Sequence, residues 1–219
     1  MYRINEIFYT LQGEGAHSGI PAVFVRFSGC NLRCPWCDTE FAEYTEMSAE
    51  QIIAEMQALY DVPNQRRKMC VLTGGEPSLQ IDKALTDALH AADFYICVET
   101  NGTHPLPDDI DWITCSPKEG SKLALKRANE VKVVFTGTYD PEIWRSQLEA
   151  EHWMLQPLRY TGEWLLMSET LDNTNWVPVY IVVYEVVAIL QVLTFRNTVG
   201  CNKHLYLSIY VRINRIFFF

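Results

Sequence analysis

Clustered basic charge is scarce in this chain. The net charge is −9, and the compact basic run is limited to Arg66, Arg67 and Lys68. Because a protein that wraps nucleic acid needs clustered Lys and Arg to neutralise phosphates, this composition excludes a nucleic-acid partner. The first residues also lack a basic segment followed by an apolar stretch and a small-residue cleavage site. The sequence therefore predicts no secretory signal and a cytoplasmic protein.

The cysteines lack the even count of a disulfide framework. There are seven, and three of them, Cys30, Cys34 and Cys37, lie within eight residues of one another. Such crowding suits metal ligation in a reducing compartment better than disulfide bonding. We expect the cysteines at 70, 97 and 115, each in a different predicted strand, to be small buried apolar residues.

A long uninterrupted hydrophobic run is also missing. The longest apolar stretch, 177–195, is broken by Pro178, Glu185 and Gln191 and is rich in β-branched residues, so we expect no membrane span. Residues 159–219 hold only four of the 27 acidic side chains. We therefore expect a core domain over 1–158 and an atypical C-terminal extension over 159–219, for which a frameshift is one hypothesis.

What the chain does have is the pattern of a mixed α/β domain. With 219 residues and 48% apolar content, it can bury one good core. Helical patterns cover 48–60, 82–92 and 140–150, and the first two begin at the N-cap candidates Ser48 and Asp82. Short apolar runs predict six strands, at 22–28, 69–73, 94–98, 112–115, 131–135 and 152–156. Strands that alternate with helices favour parallel pairing, with the chemistry at the carboxyl ends of the strands.

The segment CNLRCPWC carries the strongest chemical signal. Its cysteines are separated by three and then two residues, so one loop can place three thiolates on three irons of a four-iron four-sulfur cluster. The fourth iron stays open to the amino and carboxylate groups of S-adenosylmethionine (SAM), which reduction then cleaves into a 5′-deoxyadenosyl radical. A structural zinc loop is the alternative, but zinc normally takes four protein ligands and no further Cys or His lies close by.

The segment TGGEP at 73–77 follows a predicted strand. Its two glycines allow the backbone to approach a ligand closely, and Glu76 can accept a hydrogen bond from an ammonium group. Alone, the segment is typical of a turn. Beside the cysteine motif, it is similar to the site where radical enzymes hold the amino group of SAM.

Together these segments resemble one family, the 7-carboxy-7-deazaguanine synthases, over residues 1 to about 158. The resemblance implies an abbreviated radical SAM barrel of about six parallel strands and three helices. It also implies ring contraction of 6-carboxy-5,6,7,8-tetrahydropterin to 7-carboxy-7-deazaguanine with loss of ammonia, in the pathway to queuosine. The segments that carry it are FYTLQGEG at 8–15, PAVFVRFSGCNLRCPWCDT at 21–39, TGGEP, ETNGT at 99–103, SPK at 116–118 and LQP at 155–157.

The resemblance also implies roles for individual residues. Thr39 matches the position that ligates magnesium, whose remaining ligands are substrate oxygens and water. The residues implied to contact the pterin are Leu11, Gln12, Gly13, Glu14, Arg26 and Thr73. Those implied to contact SAM are Trp36, Cys37, Asp38, Gly75, Glu76, Ser116, Pro117, Lys118, Gln156 and Pro157. For Arg26, which would hold the substrate carboxylate, the alternative is a surface ion pair.

The implied partners are a one-electron donor such as flavodoxin or ferredoxin and a second copy of the chain in a homodimer. No general acid or base can be assigned from spacing. A glycyl-radical activating enzyme is one alternative, although such enzymes lack LQGEG near the N-terminus and the Asp38–Thr39 pair. An inactive cluster-binding or zinc-binding protein is the other, because nothing after Leu158 resembles the segment with which the family closes over its substrate.

Overall fold

The computed structural model describes residues 1–37, 39, 42–60, 68–136, 139–157 and 177–178. The predicted extension over 159–219 lies outside these residues except for 177–178, and so do Asp38 and Cys201. The strands are β1 (Tyr2–Leu11), β2 (Pro21–Phe27), β3 (Thr45–Met47), β4 (Lys68–Gly74), β5 (Phe94–Thr100), β6 (Trp112–Cys115), β7 (Arg127–Phe135), β8 (Glu149–Pro157) and β9 (Val177–Pro178). The helices are α1 (Ala49–Leu59) and α2 (Lys83–Ala91), with short 3-10 helices at Gly15–His17, Pro77–Leu79 and Pro141–Trp144.

The described strands form one sheet in the order β3-β1-β2-β4-β5-β6-β7-β8-β9. From β2 to β9 each neighbouring pair is parallel, whereas β1 pairs antiparallel with both β2 and β3. All six strands that the sequence predicted are present and run parallel, as expected for the partial barrel. The strands β1, β3 and β9 were not predicted from the sequence.

The two faces of the sheet have different environments. In β5, Ile96 and Val98 lie in the core beneath α1 and α2, while Tyr95 and Cys97 point to the opposite face. This alternation is the period of two expected for a strand covered on both sides. The cysteines of the central strands, Cys70, Cys97 and Cys115, are buried, as the sequence predicted.

Local sequence explains where the two helices begin. The Ser48 hydroxyl accepts the N–H of Gln51, and the Gln51 side chain accepts the N–H of Ser48, which is the predicted capping box. At α2 the Asp82 carboxylate accepts the N–H of Leu85 at 3.0 Å. Neither helix in the described part of the chain has the length and apolar character that a bilayer crossing requires.

The predicted third helix, 140–150, is wrong. Asp140 does accept the N–H of Glu142 as a cap, but only the short 3-10 helix forms. Trp144 is 1% exposed and fixes the turn against the core below β7. The chain then enters β8, where Glu149 pairs with Arg127 of β7. Strand pairing and burial of Trp144 therefore override the local helical signal.

Candidate active site

The three clustered cysteines lie on the loop that follows β2 at its carboxyl end. Cys30 and Cys34 are half-buried and Cys37 is exposed. The N–H of Cys37 donates to the carbonyl of Cys34 at 3.1 Å, and the N–H of Leu32 donates to the Cys30 sulfur at 3.4 Å. These two hydrogen bonds therefore make two turns in the loop, one at Cys30 and one between Cys34 and Cys37.

Burial raises the pKa of Cys30, and the neighbouring Glu76 adds to this effect. Burial also raises the pKa of Cys34, although the nearby Lys118 ammonium opposes the shift. Because bound iron deprotonates a coordinating thiol outright, these shifts describe the thiols without metal.

The donor set of this loop fits an iron–sulfur cluster better than a single ion. Three thiols on one loop are the ligands that cluster irons prefer, with one thiolate for each of three irons. Within the described residues, no three His, Cys, Asp or Glu side chains are grouped as ligands of a single metal ion. A structural zinc site asks for four such ligands around one point. The residues present thus fit a cluster with one iron open to another ligand.

The glycines of TGGEP bring two backbone segments into contact. A side chain on Gly75 would place its Cβ 2.1 Å from the carbonyl oxygen of Gly29, and one on Gly74 would lie 2.2 Å from that of Phe27. The N–H of Gly75 donates to Phe27 and the N–H of Glu76 donates to Gly29. The two glycines therefore allow TGGEP to pack directly against the backbone that precedes Cys30. This contact was not predicted from the sequence.

Glu76 is buried to 1% exposure and its carboxylate already has several partners. One oxygen accepts the Thr100 hydroxyl at 2.6 Å as well as the N–H and hydroxyl of Ser78, and the other accepts the N–H of Asn101 at 2.7 Å. This carboxylate ties the turn after β4 to the end of β5. Its predicted contact with an ammonium group stays a prediction.

A side-chain network joins the cysteine loop to the segment ETNGT. The Asn101 amide donates to the Asn31 oxygen at 3.1 Å, and the Asn31 amide donates to the Thr103 hydroxyl at 2.9 Å. The Asn101 oxygen in turn accepts the N–H and hydroxyl of Thr103. Since Asn31 follows Cys30 directly, the ends of β2 and β5 are held together beside the first thiol.

The segment SPK lies beside the cysteine loop. The N–H of Ser116 donates to the Thr100 carbonyl, and the Lys118 ammonium donates to the Ser116 carbonyl and hydroxyl. Lys118 also lies 5.6 Å from the centre of the Trp36 ring. Burial lowers the pKa of Lys118, while Cys34 and Cys115 oppose that shift. The predicted SAM-site segments at 36–37 and 116–118 are thus brought together.

These segments line a cleft of about 370 Å³, a size that suits a small cofactor. Its walls include one cluster-ligand candidate, the Trp36 ring, and the carboxyl end of β7. Among its lining residues are Cys34, Trp36, Pro117, Lys118, Val134, Thr136 and Tyr139.

A second group of predicted residues lies on the face of the sheet opposite the two helices. Gln12 is 8% exposed, and its amide donates to Glu99 at 2.9 Å while its oxygen accepts the N–H of Glu14 at 3.1 Å. The Lys132 ammonium pairs with the Glu14 carboxylate and lies 3.4 Å from Glu99. Gln156 donates to Glu14 at 3.5 Å. The structure therefore assembles an interior polar cluster around the N-terminal LQGEG segment.

The charges in this interior cluster depend on one another. Burial would raise the pKa of Glu99, but the Lys132 ammonium, the Gln12 amide and Arg26 together lower it. Burial would lower the pKa of Lys132, but Glu14, Glu99 and Glu130 raise it. The lysine is thus held as a cation and Glu99 as a carboxylate.

Arg26 lies on the same face and is already engaged. Its guanidinium contacts the Glu6 carboxylate at 2.6 Å and lies 5.8 Å from the centre of the Phe8 ring. In the sheet register it is paired with Thr73 of β4. The arrangement brings Arg26 and Thr73 together, with an ion pair to Glu6 that a substrate carboxylate would have to replace or share.

The remaining predicted residues are more scattered. Leu11 is 43% exposed at the end of β1, and Gly13 is buried beside Gln12. The Thr39 carbonyl lies 3.9 Å from the Cys37 sulfur. Pro157 ends β8 opposite Phe135. Asp38 lies outside the described residues.

Sequence reasoning missed three interior charges. Glu99 was part of a quoted motif but received no role, and Glu130 and Lys132 of β7 were not identified at all. A signal was present, because Glu130 and Lys132, two positions apart, are the ionisable residues of the otherwise apolar segment EVKVVF. Charges at alternate positions of a buried strand point to one interior face.

Comparison with known proteins agrees with this geometry. The sequence profile of the radical SAM superfamily matches residues 24–130. The 7-carboxy-7-deazaguanine synthase of Bacteroides thetaiotaomicron is 52% identical over 176 residues, covering 80% of this chain and 92% of that protein. The enzyme of the same name from Bradyrhizobium diazoefficiens is 45% identical over 177 residues, covering 72% and 82%.

The fold comparison gives the same result. The crystal structure of QueE from Escherichia coli matches with a TM-score of 0.67 and 31% sequence identity, covering 81% of this chain and 92% of that one. The sequence and fold comparisons thus point to the same family. The chain therefore belongs to the 7-carboxy-7-deazaguanine synthases of the radical SAM superfamily.

Proposed function

We propose that this chain catalyses the ring contraction of 6-carboxy-5,6,7,8-tetrahydropterin to 7-carboxy-7-deazaguanine. The conversion releases one ammonia and needs no net oxidant, so it is a carbon–nitrogen lyase reaction. The observation that carries the proposal is the continuity between the cysteine loop and the interior polar cluster. Glu99 of that cluster lies two residues before Asn101, which hydrogen-bonds to Asn31 beside Cys30.

The cofactor side of this site is formed by the cysteine loop and the cleft beside it. When bound, a reduced cluster on Cys30, Cys34 and Cys37 supplies the electron that cleaves SAM to methionine and a 5′-deoxyadenosyl radical. The cleft between Trp36 and Lys118 offers an aromatic face and backbone polar groups to SAM. Together these walls keep SAM next to the thiols.

The substrate side is formed by the interior polar cluster. A pterin has donors and acceptors along one edge, which suit the Gln12 amide and the backbone polar groups around Gly13. Arg26 presents a guanidinium fork for the substrate carboxylate, with the Thr73 hydroxyl next to it in the register. Glu14 and Glu99, both paired with Lys132, offer carboxylates to the ring N–H groups.

Several further features belong to this proposal. Thr39 would contribute one oxygen to a magnesium ion completed by substrate oxygens and water. Gly75, Ser116, Gln156 and Pro157 would contact SAM, as would Asp38. A one-electron donor of the flavodoxin or ferredoxin type would reduce the cluster, and two copies of the chain would form a homodimer. Crowded thiols favour a cytoplasmic location, and the core domain would end near Leu158.

The test is anaerobic reconstitution of the chain with iron and sulfide, followed by incubation with SAM, reductant, magnesium and the carboxytetrahydropterin. We expect 7-carboxy-7-deazaguanine by mass spectrometry, and none from a Cys34→Ala variant, which lacks one cluster ligand. Cys70→Ala is the matched control, because that buried cysteine lies in β4 within the apolar core. A full cluster that cleaves SAM without forming product would favour the glycyl-radical activating alternative, and zinc in place of iron would favour an inactive protein.

A further inference from the structure

Glu130 is a buried carboxylate to which the proposed reaction assigns no role. It lies on β7 with 2% exposure, where an unpaired carboxylate would be costly. One oxygen accepts the N–H of Ala16 at 2.6 Å, and the other accepts the Thr114 hydroxyl at 3.4 Å. Its closest partner is therefore the backbone of the turn that follows the LQGEG segment.

Gly15 shows how closely the turn approaches this carboxylate. Its φ is +72°, a left-handed conformation that glycine adopts without cost. A Cβ at this position would lie 2.2 Å from one oxygen of Glu130 and 2.7 Å from the other. The last glycine of LQGEG is thus required by the carboxylate that it packs against, as well as by its own backbone angle.

Glu130 and Lys132 hold the same segment at two points. They are two residues apart on β7 and point to the same face of the sheet. Lys132 pairs with the Glu14 side chain, while Glu130 binds the backbone at Ala16. Between these anchors the N–H of Glu14 donates to Gln12, whose amide reaches Glu99. The position of Gln12 therefore depends on where β7 fixes residues 14–16.

We propose that Glu130 is a positioning residue that sets the pterin-binding segment Leu11–Gln12–Gly13 by fixing the Gly15–Ala16 turn. This inference rests on the proposed function, because it assigns the segment to substrate binding. Glu130 itself need not touch the substrate. Burial raises the pKa of Glu130, and the charge of the Lys132 ammonium opposes that shift. In this arrangement Glu130, held in strand β7, fixes the loop that follows β1.

The test measures kcat and KM for the carboxytetrahydropterin in Glu130→Ala and Glu130→Gln. The alanine variant leaves the Ala16 N–H without an acceptor, so we expect KM to rise about tenfold or more, with a smaller change in kcat. The glutamine oxygen can still accept that N–H, so its KM should lie between wild type and alanine. Glu149→Ala, which removes an exposed carboxylate at the start of β8, is the matched control and should leave KM unchanged.

A second pair of variants tests the contact between the turn and the carboxylate. Gly15→Ala alone should raise KM strongly, because its Cβ collides with Glu130 and its φ is unfavourable. In the double variant Gly15→Ala/Glu130→Ala this collision is removed. Its KM for the pterin should therefore rise by less than the product of the increases in the two single variants. Additive effects would overturn the proposed contact.

Cleavage of SAM in the absence of pterin, together with iron content, separates this inference from the proposed function. Both should match wild type in every Glu130 variant, because the cysteine loop and its cleft are untouched. An unchanged KM in Glu130→Ala, or equal losses of iron, SAM cleavage and product in both Glu130 variants, would overturn the positioning role. Failure of the wild-type protein to form product would instead reject the proposed function, whatever the variants do.

Discussion

Lys132 occupies a central position among the charged residues of the site. Its side chain is 5% exposed, and its ammonium contacts Glu14 from the N-terminal segment and lies 3.4 Å from Glu99 of β5. A buried cation is tolerated only when carboxylates compensate its charge. Here the lysine in turn stabilises the charge of the Glu99 carboxylate. This lysine thereby lowers the pKa of Glu99 and also pairs with the Glu14 carboxylate.

Replacing Lys132 by Met should destabilise the protein by roughly 3–5 kcal/mol at neutral pH, because two carboxylates would lose their buried partner. In wild type the lowered pKa of Glu99 contributes stability above the usual carboxyl range, and this is lost as the pH falls through that lowered pKa. In the variant, burial should dominate and raise the pKa of Glu99. The free energy of unfolding of Lys132→Met should therefore fall furthest below that of wild type near pH 7, and the gap should shrink towards pH 4. Urea unfolding at both pH values would measure this gap.

Lys83→Met is the control for this experiment. Lys83 also pairs with a carboxylate, Asp87, but both side chains are more than half exposed. Solvent screens an exposed pair so that it contributes little to stability, and this variant should therefore stay close to wild type at both pH values. Equal destabilisation by the two variants, or a Lys132 effect independent of pH, would contradict the charge-pairing account.

At the scale of elements, the parallel strands could be predicted from short apolar runs in the sequence. The positions where these strands end could be predicted from the turn residues that follow them. The strand β1 could not, because it alternates poorly: Tyr2 and Ile4 are buried, but Glu6 is exposed beside Arg26. The third helix failed because the Asp140 cap is a local signal, while the pairing of Glu149 in β8 depends on a strand more than twenty residues earlier.

The cysteine loop and the segments around it could be found from spacing and from resemblance, because motifs are contiguous in sequence. The ion pair between Glu14 and Lys132 could not, since its members lie 118 residues apart. The glycines of TGGEP were predicted to let the backbone approach a ligand closely, and this stays a prediction. The contact that these glycines make with the backbone of Phe27–Gly29 was not predicted, because only the sheet topology reveals it.

This packing predicts the effect of Gly75→Ala. The new Cβ would meet the Gly29 carbonyl, a backbone atom that cannot move aside without shifting the chain before Cys30. We expect a loss of about 2 kcal/mol or more in stability and a clear drop in iron bound after reconstitution. Iron and sulfide analysis with thermal unfolding would measure both.

Gly19→Ala is the matched control for that variant. Gly19 has a positive φ of +83°, but a Cβ at this position would meet no atom within 4 Å, so only backbone strain of about 1 kcal/mol is expected. Its iron content should equal that of wild type. Full cluster loading in Gly75→Ala would show that TGGEP does not seat the cysteine loop.

At the scale of the whole molecule, one sheet separates two environments. Its helix-covered face holds the main core with Phe27, Leu72 and Ile96, and its opposite face carries the polar cluster around Lys132. The carboxyl ends of β2, β4, β5 and β6 carry the cysteine loop, TGGEP, ETNGT and SPK. The strand order thus brings these four segments together at one end of the sheet.

This arrangement predicts that SAM binding depends on the cluster. Adding SAM at about 100 times its dissociation constant should stabilise the cluster-loaded protein by about 2.7 kcal/mol, seen as a raised melting temperature. Removing iron with a chelator should abolish most of that shift, because in the proposed function the open iron would hold the amino and carboxylate groups of SAM. An equal shift in the iron-free protein would place SAM elsewhere.

The most direct measurement of the central claim is one anaerobic incubation of the reconstituted full chain, with and without 6-carboxy-5,6,7,8-tetrahydropterin, analysed by mass spectrometry. We predict 5′-deoxyadenosine in both reactions and 7-carboxy-7-deazaguanine only when the pterin is present. Formation of 5′-deoxyadenosine without any deazaguanine, from protein that holds a complete cluster, would contradict the claim that this interior performs the ring contraction.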